Sequence, residues 1–158
     1  MDFKYKTNEH EAESCWIEIK SKHQANVLVG TFYRHPSKQD SFFTEKLKKV
    51  LQTTKKETTK KIIICGDFNY NLLNYDKDEY VSSFLNTLLE FNFHPCITEP
   101  TRVTNTNKPS LVDNIFINSL ENPVSGNILE HISYDHLPNF VVLQHEKLGI
   151  KSNIKKEI

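Results

Sequence analysis

The chain predicts an α/β layered fold, and two observations carry that prediction. Short β-branched runs alternate with two amphipathic helical stretches, the pattern of helices packed on a sheet. Four strand ends also carry polar residues able to do chemistry: Tyr33 with Arg34, Asp67 with Asn69, Asp113, and Asp135 with His136. Strands that end in such groups can share one rim of a sheet.

The elements follow in order. Residues 1–13 are polar and read as a frayed segment, followed by a domain over 14–145 and a tail or linker over 146–158. "SCWIEIK" alternates, with Cys15, Ile17 and Ile19 on one face and Trp16 and Glu18 on the other, as in a half-buried strand. "ANVLVGTFY", residues 25–33, is a second strand, and "SKHQ" before it suits a hairpin turn, so the pair is antiparallel. From Ser41 to about Thr54, Phe42, Phe43, Leu47, Val50 and Leu51 fall on one helical stripe, with Asp40 or Ser41 as a cap. Residues 61–65 form an uninterrupted apolar run, as in a strand covered on both faces. A second helix, 78–92, buries Tyr80, Val81, Phe84, Leu85, Leu88 and Leu89, with Asp76 as its candidate cap. "PCIT", residues 111–118, "VSGNILEHI" and residues 139–143 complete the strands.

Composition narrows the function classes. The 158 residues suit one domain with a sizeable core. The formal net charge is zero, so bulk charge does not advertise a nucleic-acid partner, although local basic loops suffice for one. Arg34 and Arg102 stand out among many lysines, because a planar fork binds phosphate in a way Lys cannot copy. The lysine run through Lys61 reads first as a solvated helix end. Cys15, Cys65 and Cys96 are widely spaced, with no CxxC pair to suggest zinc or a disulfide framework. That usage fits a reducing compartment, and no signal peptide or membrane-spanning run is visible. The expected location is intracellular, nuclear or cytoplasmic.

The polar strand ends carry the chemistry. "IIICGDFNYN", residues 62–71, delivers Asp67 and Asn69 at the exit of a buried strand. Alone, Gly, Asp and Asn in a row also fit an ordinary turn. Asp113 inside an apolar strand is harder to dismiss, since a buried carboxylate must be paired or coordinated. Asp67, Asp113 and Asp135 offer the hard oxygen ligands that suit Mg²⁺, and His136 can accept a proton near neutral pH. Asn69 can fix a water or a phosphate oxygen, Tyr33 can donate to a phosphoryl oxygen, and Arg34 or Arg102 can neutralise phosphate charge. As the strand neighbour of Tyr33, Arg34 would point away from it. The inventory fits hydrolysis of a phosphate ester by an activated water.

Five stretches in series, "WIEIK…VLVGTFYRHPS", "IIICGDFNYN", "FNFHPCITEPTRVT", "PSLVDNIFIN" and "ISYDHLPNFVVL", resemble the endonuclease/exonuclease/phosphatase superfamily. More narrowly they are similar to the endonuclease domain of jockey-type non-LTR retrotransposons. The resemblance implies a four-layer α/β sandwich of two sheets and Mg²⁺-dependent cleavage of DNA, with Mn²⁺ as a possible substitute. It also implies a reverse transcriptase domain as a partner in a parent polyprotein; the lack of a long apolar run, not the resemblance, is what argues for no membrane partner. It assigns Tyr33 to phosphate contact, Asp67 to the attacking water and the metal, and Asn69 to positioning water and phosphate. Asp113 belongs to the metal and leaving-group region. Asp135 orients His136 and binds metal, His136 contacts the scissile phosphate, and Thr101 and Arg102 lie in a loop near DNA.

Two departures qualify what the resemblance implies. The family's first strands carry an Asn and a metal-binding Glu, and no stretch here matches them, so the expected sandwich lacks its first strands and the expected activity is impaired. Tyr134 stands where the family has Ser in Ser-Asp-His, with Ser133 one residue early. Two other readings stay open: a catalytically inactive nucleic-acid-binding or structural remnant, and a phosphatase or phosphodiesterase of the same superfamily.

Overall fold

The structure is a computed structural model that describes residues 13–21, 25–36, 40–57, 59–104, 108–119, 124–128 and 135–143. Seven strands and two α-helices lie in these segments: β1 (Glu13–Ile19), β2 (Val27–Tyr33), α1 (Asp40–Thr54), β3 (Lys61–Asp67), α2 (Glu79–Glu90), β4 (His94–Pro95), β5 (Asp113–Ile117), β6 (Val124–Asn127) and β7 (Asn139–Val142). Residues 1–12 of the expected frayed segment 1–13, the tail over 146–158, and Ser133 and Tyr134 lie outside the described residues, whereas Glu13 is the first residue of β1.

The central sheet has five strands in the order β1-β2-β3-β5-β4. β1 and β2 form the expected antiparallel pair, β2 and β3 run parallel through α1, and β5 runs antiparallel to β3. β6 and β7 form a separate antiparallel pair. Helices cover one face of the central sheet and β7 packs on the other. This is the mixed α/β sandwich the sequence predicts, with the helix layer, the central sheet and strands of a second sheet in place.

Apolar alternation decides which face packs where. On the helix face, Trp16, Leu28, Phe32, Ile62, Ile64 and Phe116 from the sheet meet Phe43, Leu47 and Leu51 of α1 and Val81, Phe84 and Leu88 of α2. The two helical stripes are therefore read correctly at their centres. Their edges differ: Phe42, Tyr80 and Leu89 are exposed, and Phe42 instead lies under the Lys46 ammonium, 4.3 Å from its ring centroid. The α2 cap is Asp78 rather than Asp76, with the Asp78 carboxylate accepting from Tyr80 N and Val81 N. In β1 burial falls on the Trp16 side, while Cys15, Ile17 and Ile19 face outward. Gly30 explains this, because it sits opposite Trp16 and a Cβ there would meet the indole at 2.5 Å.

The other face of the sheet holds a smaller cluster of Ile97, Leu111, Ile115 and Ile117, with Ile63, Cys65, Cys96, Val141 and Leu143 packed against it. Among the described residues no helix is long and apolar enough to cross a membrane.

Candidate active site

Strand register builds the site. Tyr33 pairs with Asp67 across β2 and β3, and Asp67 pairs with Asp113 across β3 and β5. Paired residues in neighbouring strands point to the same face, so Tyr33, Asp67 and Asp113 form a row across three strands. The parallel strands end where antiparallel β5 begins, which puts all three at one rim. Asp113 is thus the first residue of its strand rather than an interior one.

His136 completes the group. Its Nδ1 lies 2.9 Å from Asp113 Oδ2, and ligand atoms of Asp67, Asp113 and His136 all lie within 4.8 Å of one another. All three are half-buried. Burial pushes the Asp67 carboxyl above the ordinary carboxylate range; the Asn69 N–H opposes the rise, the Asp113 charge adds to it, and His136 and Arg102 draw it back. A carboxyl destabilised in this way, facing a second carboxyl, fits a hard divalent cation.

Asp135 is placed differently from its expected role. Its carboxylate accepts from Arg102 Nε at 2.6 Å, and this pair holds the Asp135 carboxyl below the ordinary range. The hydrogen bond to His136 that the resemblance gives to Asp135 is made by Asp113 instead. Neighbouring residues on an extended segment face opposite ways, and once His136 turns inward Asp135 must turn out. Asp135 is also outside the group of three possible metal ligands.

A short zipper holds this segment in register. Arg102 bridges to both Ser110 and His136. Val103 N donates to Asp135 O at 2.8 Å and Leu137 N to Thr101 O at 2.6 Å. Thr101 is fully buried, and its Oγ1 accepts from Val112 N at 3.2 Å and Asp113 N at 3.0 Å. Thr101 was expected beside DNA; it sits instead beneath the rim, tied to the backbones on either side of the Asp113–His136 bond. A threonine in a polar loop carries no periodicity signal, so the sequence does not announce this role.

The segment after β3 is equally constrained. Gly66 has φ 148°, and a Cβ there would collide with the Phe32 carbonyl oxygen. Phe68 turns into the helix-face core, stacked with Phe32 and 5.1 Å from the Phe84 centroid, so Asp67 and Asn69 flank a buried anchor. Asn69 takes the left-handed conformation, φ 51°. Its backbone N donates to Asp67 Oδ1 at 3.0 Å. Leu111 N donates to Asn71 Oδ1 at 2.9 Å, and Phe68 N to Val112 O at 3.0 Å, tying this loop to the approach to Asp113.

Tyr33 is 41% exposed at the edge of the row, with His35 against its ring. Arg102 is similarly open, at 42%. Arg34, expected at DNA, is 4% exposed and points to the helix side beneath residues 68–70. The structure therefore gathers Asp67, Asp113 and His136 with Asn69 and Tyr33 beside them, places Asp135 and Arg102 as a pair just outside, and buries Thr101 and Arg34.

This sheet, these helices and this rim agree with the class that a family match gives: the chain is a member of the endonuclease/exonuclease/phosphatase superfamily. Residues 27–140 match the family described as endonuclease-reverse transcriptase, and the chain belongs to that family. No curated protein matches it in sequence. Among solved structures it is similar to the endonuclease domain of TRAS1, a telomere-specific non-LTR retrotransposon, with 19% identity, a TM-score of 0.70, and 85% of this chain and 64% of that one covered. It is similar to D. rerio TDP2 complexed with a single-strand DNA product, with 17% identity, a TM-score of 0.60, and 82% and 60% covered. It is also similar to β toxin from Staphylococcus aureus, with 16% identity, a TM-score of 0.60, and 83% and 57% covered. At these identities the likeness is one of fold. The chain spans less than two-thirds of the length of these three structures.

Proposed function

We propose that this domain hydrolyses phosphodiester bonds in DNA with Mg²⁺, and that Mn²⁺ can replace it. The observation that carries the reading is the convergence of Asp67, Asp113 and His136 donor atoms within 4.8 Å. Asp67 and Asp113 would hold the metal, which when bound offsets charge on the phosphoryl oxygens. With Nδ1 facing the Asp113 carboxylate, the neutral His136 ring keeps its proton there and presents Nε2 as an acceptor. His136 can then take a proton or contact the scissile phosphate. Asp67 orients the attacking water, Asn69 beside it fixes water and phosphate oxygen, and exposed Tyr33 donates to a phosphoryl oxygen. Arg102, on the open side, meets the DNA backbone. A phosphodiester in DNA, rather than a phosphomonoester, is favoured by the family match and by the likeness to a retrotransposon endonuclease domain. The same match supports a reverse transcriptase domain as a partner in a longer polypeptide.

Two carboxylates are a sparse donor set for a metal that prefers six oxygens, so binding is weak and the activity of this chain alone is low. Supercoiled plasmid nicking tests the reading. Slow nicking is expected, rising through millimolar Mg²⁺ and lost with EDTA and in His136→Ala. Nicking that survives EDTA, or an His136→Ala protein as active as the parent, would overturn it. Stoichiometric DNA binding with no nicking at any Mg²⁺ or Mn²⁺ concentration would favour an inactive binding module.

A further inference from the structure

Arg34 is a charged side chain, 4% exposed, at the end of a strand whose neighbour is a proposed substrate contact. A guanidinium taken out of water must find acceptors for its donors. Its Nε donates to Phe68 O at 2.6 Å and its Nη2 to Asn69 O at 2.8 Å. Its flat face lies over Tyr70, 4.0 Å from the ring centroid. The backbone joins in: Arg34 N donates to Asp67 O at 3.0 Å, and Arg34 O accepts from Asn69 Nδ2 at 2.7 Å. One residue thus touches Asp67, Phe68, Asn69 and Tyr70 in succession.

What these contacts restrain is a strained turn. Asn69 lies at φ 51°, a region L-residues seldom occupy outside Asn and Asp. Such a conformation persists only where its surroundings over-determine it. The fork supplies that determination. It captures two successive carbonyls whose directions are set by the left-handed turn, and Asn69 returns a bond through its own side chain. The Asn69 carboxamide is thereby fixed beside Asp67, whose Oδ1 accepts from Asn69 N at 3.0 Å.

We propose that Arg34 is a positioning residue that sets the geometry of Asp67 and Asn69 from beneath the rim, and that it does not contact nucleic acid. The proposal rests on the phosphodiesterase reading for its kinetic consequence but not for its structural one. Lys cannot replace Arg here, because a single ammonium offers no planar pair of donors and stacks poorly on Tyr70.

The test compares Arg34→Met and Arg34→Lys with the parent, using amide hydrogen exchange by NMR beside plasmid nicking. Faster exchange of the Asn69 amides is expected in both variants, by about tenfold or more in Arg34→Met, with Ile64 and Leu88 unchanged. Nicking should lose kcat by a similar factor at constant KM for DNA. Unchanged Asn69 exchange with unchanged kcat would overturn the proposal, and so would a raised KM at constant kcat, the signature of a DNA contact. Should Arg34→Met unfold, losing protection at Ile64 and Leu88 as well, Arg34→Lys decides by the same criteria. If the parent does not nick DNA, the phosphodiesterase reading fails while the exchange measurement still judges the clamp.

Discussion

His136 and Asp135 are adjacent in the chain, yet they belong to two different regions of the rim. The inner region is Asp67, Asp113 and His136, half-buried and mutually within ligand distance. The outer region is the Arg102–Asp135 pair, with side chains 42% and 38% exposed. The two regions treat a carboxylate in opposite ways. Burial raises the Asp67 carboxyl above its ordinary range, whereas the Arg102 guanidinium lowers that of Asp135. Asp67 in the inner group is held at an electrostatic disadvantage that a cation or a proton would relieve. The outer pair is already neutralised and has nothing to gain. Strain of the first kind is a mark of sites that bind or react; pairing of the second kind is ordinary surface electrostatics.

The largest expected effect separates the regions by activity. Asp113→Ala removes the acceptor that orients His136 and should reduce nicking by about 10²-fold or more, the usual scale for general acid–base machinery. Asp135→Ala should cost less than about tenfold, because it leaves the Asp113–His136 bond intact. Plasmid nicking at fixed Mg²⁺, with both variants side by side, checks the ordering. Equal losses would mean that the outer carboxylate takes part in the chemistry after all.

Much of this division could be read from the residues, and the rest has a physical reason for being hidden. Alternation and helical stripes are local signals, so β1 to β3 and both helices are legible from "WIEIK", "VLVGTFY", "FFTEKLKKVL", "KIIIC" and "YVSSFLNTLLE". The meeting of Asp67 with Asp113 depends on register between strands far apart in the chain, and only the motif order hinted at it. Which of Asp113 and Asp135 would hold His136 depended on the facing of a single extended segment, where a shift of one residue reverses every side chain. Arg34 and Thr101 looked like surface contacts because Arg beside Pro and Thr in a polar loop carry no burial signal. Their roles come from acceptors and donors supplied by other segments, Phe68 and Asn69 for one, Val112 and Asp113 for the other. Phe68 was hidden for a different reason: between Asp67 and Asn69 it reads as part of a polar turn, yet it anchors the loop in the core.

A smaller effect sharpens the contrast through stability. The raised pKa of Asp67 means that its contribution to stability is present below the ordinary value of 3.8 and is lost as pH rises through the folded value. At neutral pH without metal, the ionised carboxylate is therefore a liability. Asp67→Asn should raise Tm in EDTA at pH 7, because the uncharged carboxamide carries no such penalty. The gain should shrink as pH falls through the folded value and be gone below the ordinary value of 3.8. Mg²⁺ should raise the Tm of the parent and leave that of the variant unchanged. A lower Tm for Asp67→Asn in EDTA would show that the carboxylate is compensated within the protein and is not waiting for a cation.

The smallest effect belongs to the outer pair. Here the sign is reversed: a lowered carboxyl contributes stability above its unfolded value of 3.8, and that contribution is lost as pH falls through the folded value. The pair is short, 2.6 Å between Arg102 Nε and Asp135 Oδ2, but both groups reach water, where screening and side-chain entropy take back most of the Coulomb gain. The backbone bonds of Val103 with Asp135 and of Leu137 with Thr101 hold the segment whether or not the side chains meet. A double-mutant cycle of Arg102→Gln and Asp135→Asn, followed by thermal melts, should thus show a weak favourable coupling at pH 7 and 50 mM salt. It should shrink to nothing at 0.5 M salt and weaken as pH falls below 3.8 through the folded value. Coupling that persists in high salt would mean that the pair is shielded from water by chain segments packed over it. The outer region would then share the inner one's dielectric, and the contrast in how the two treat their carboxylates would need another cause.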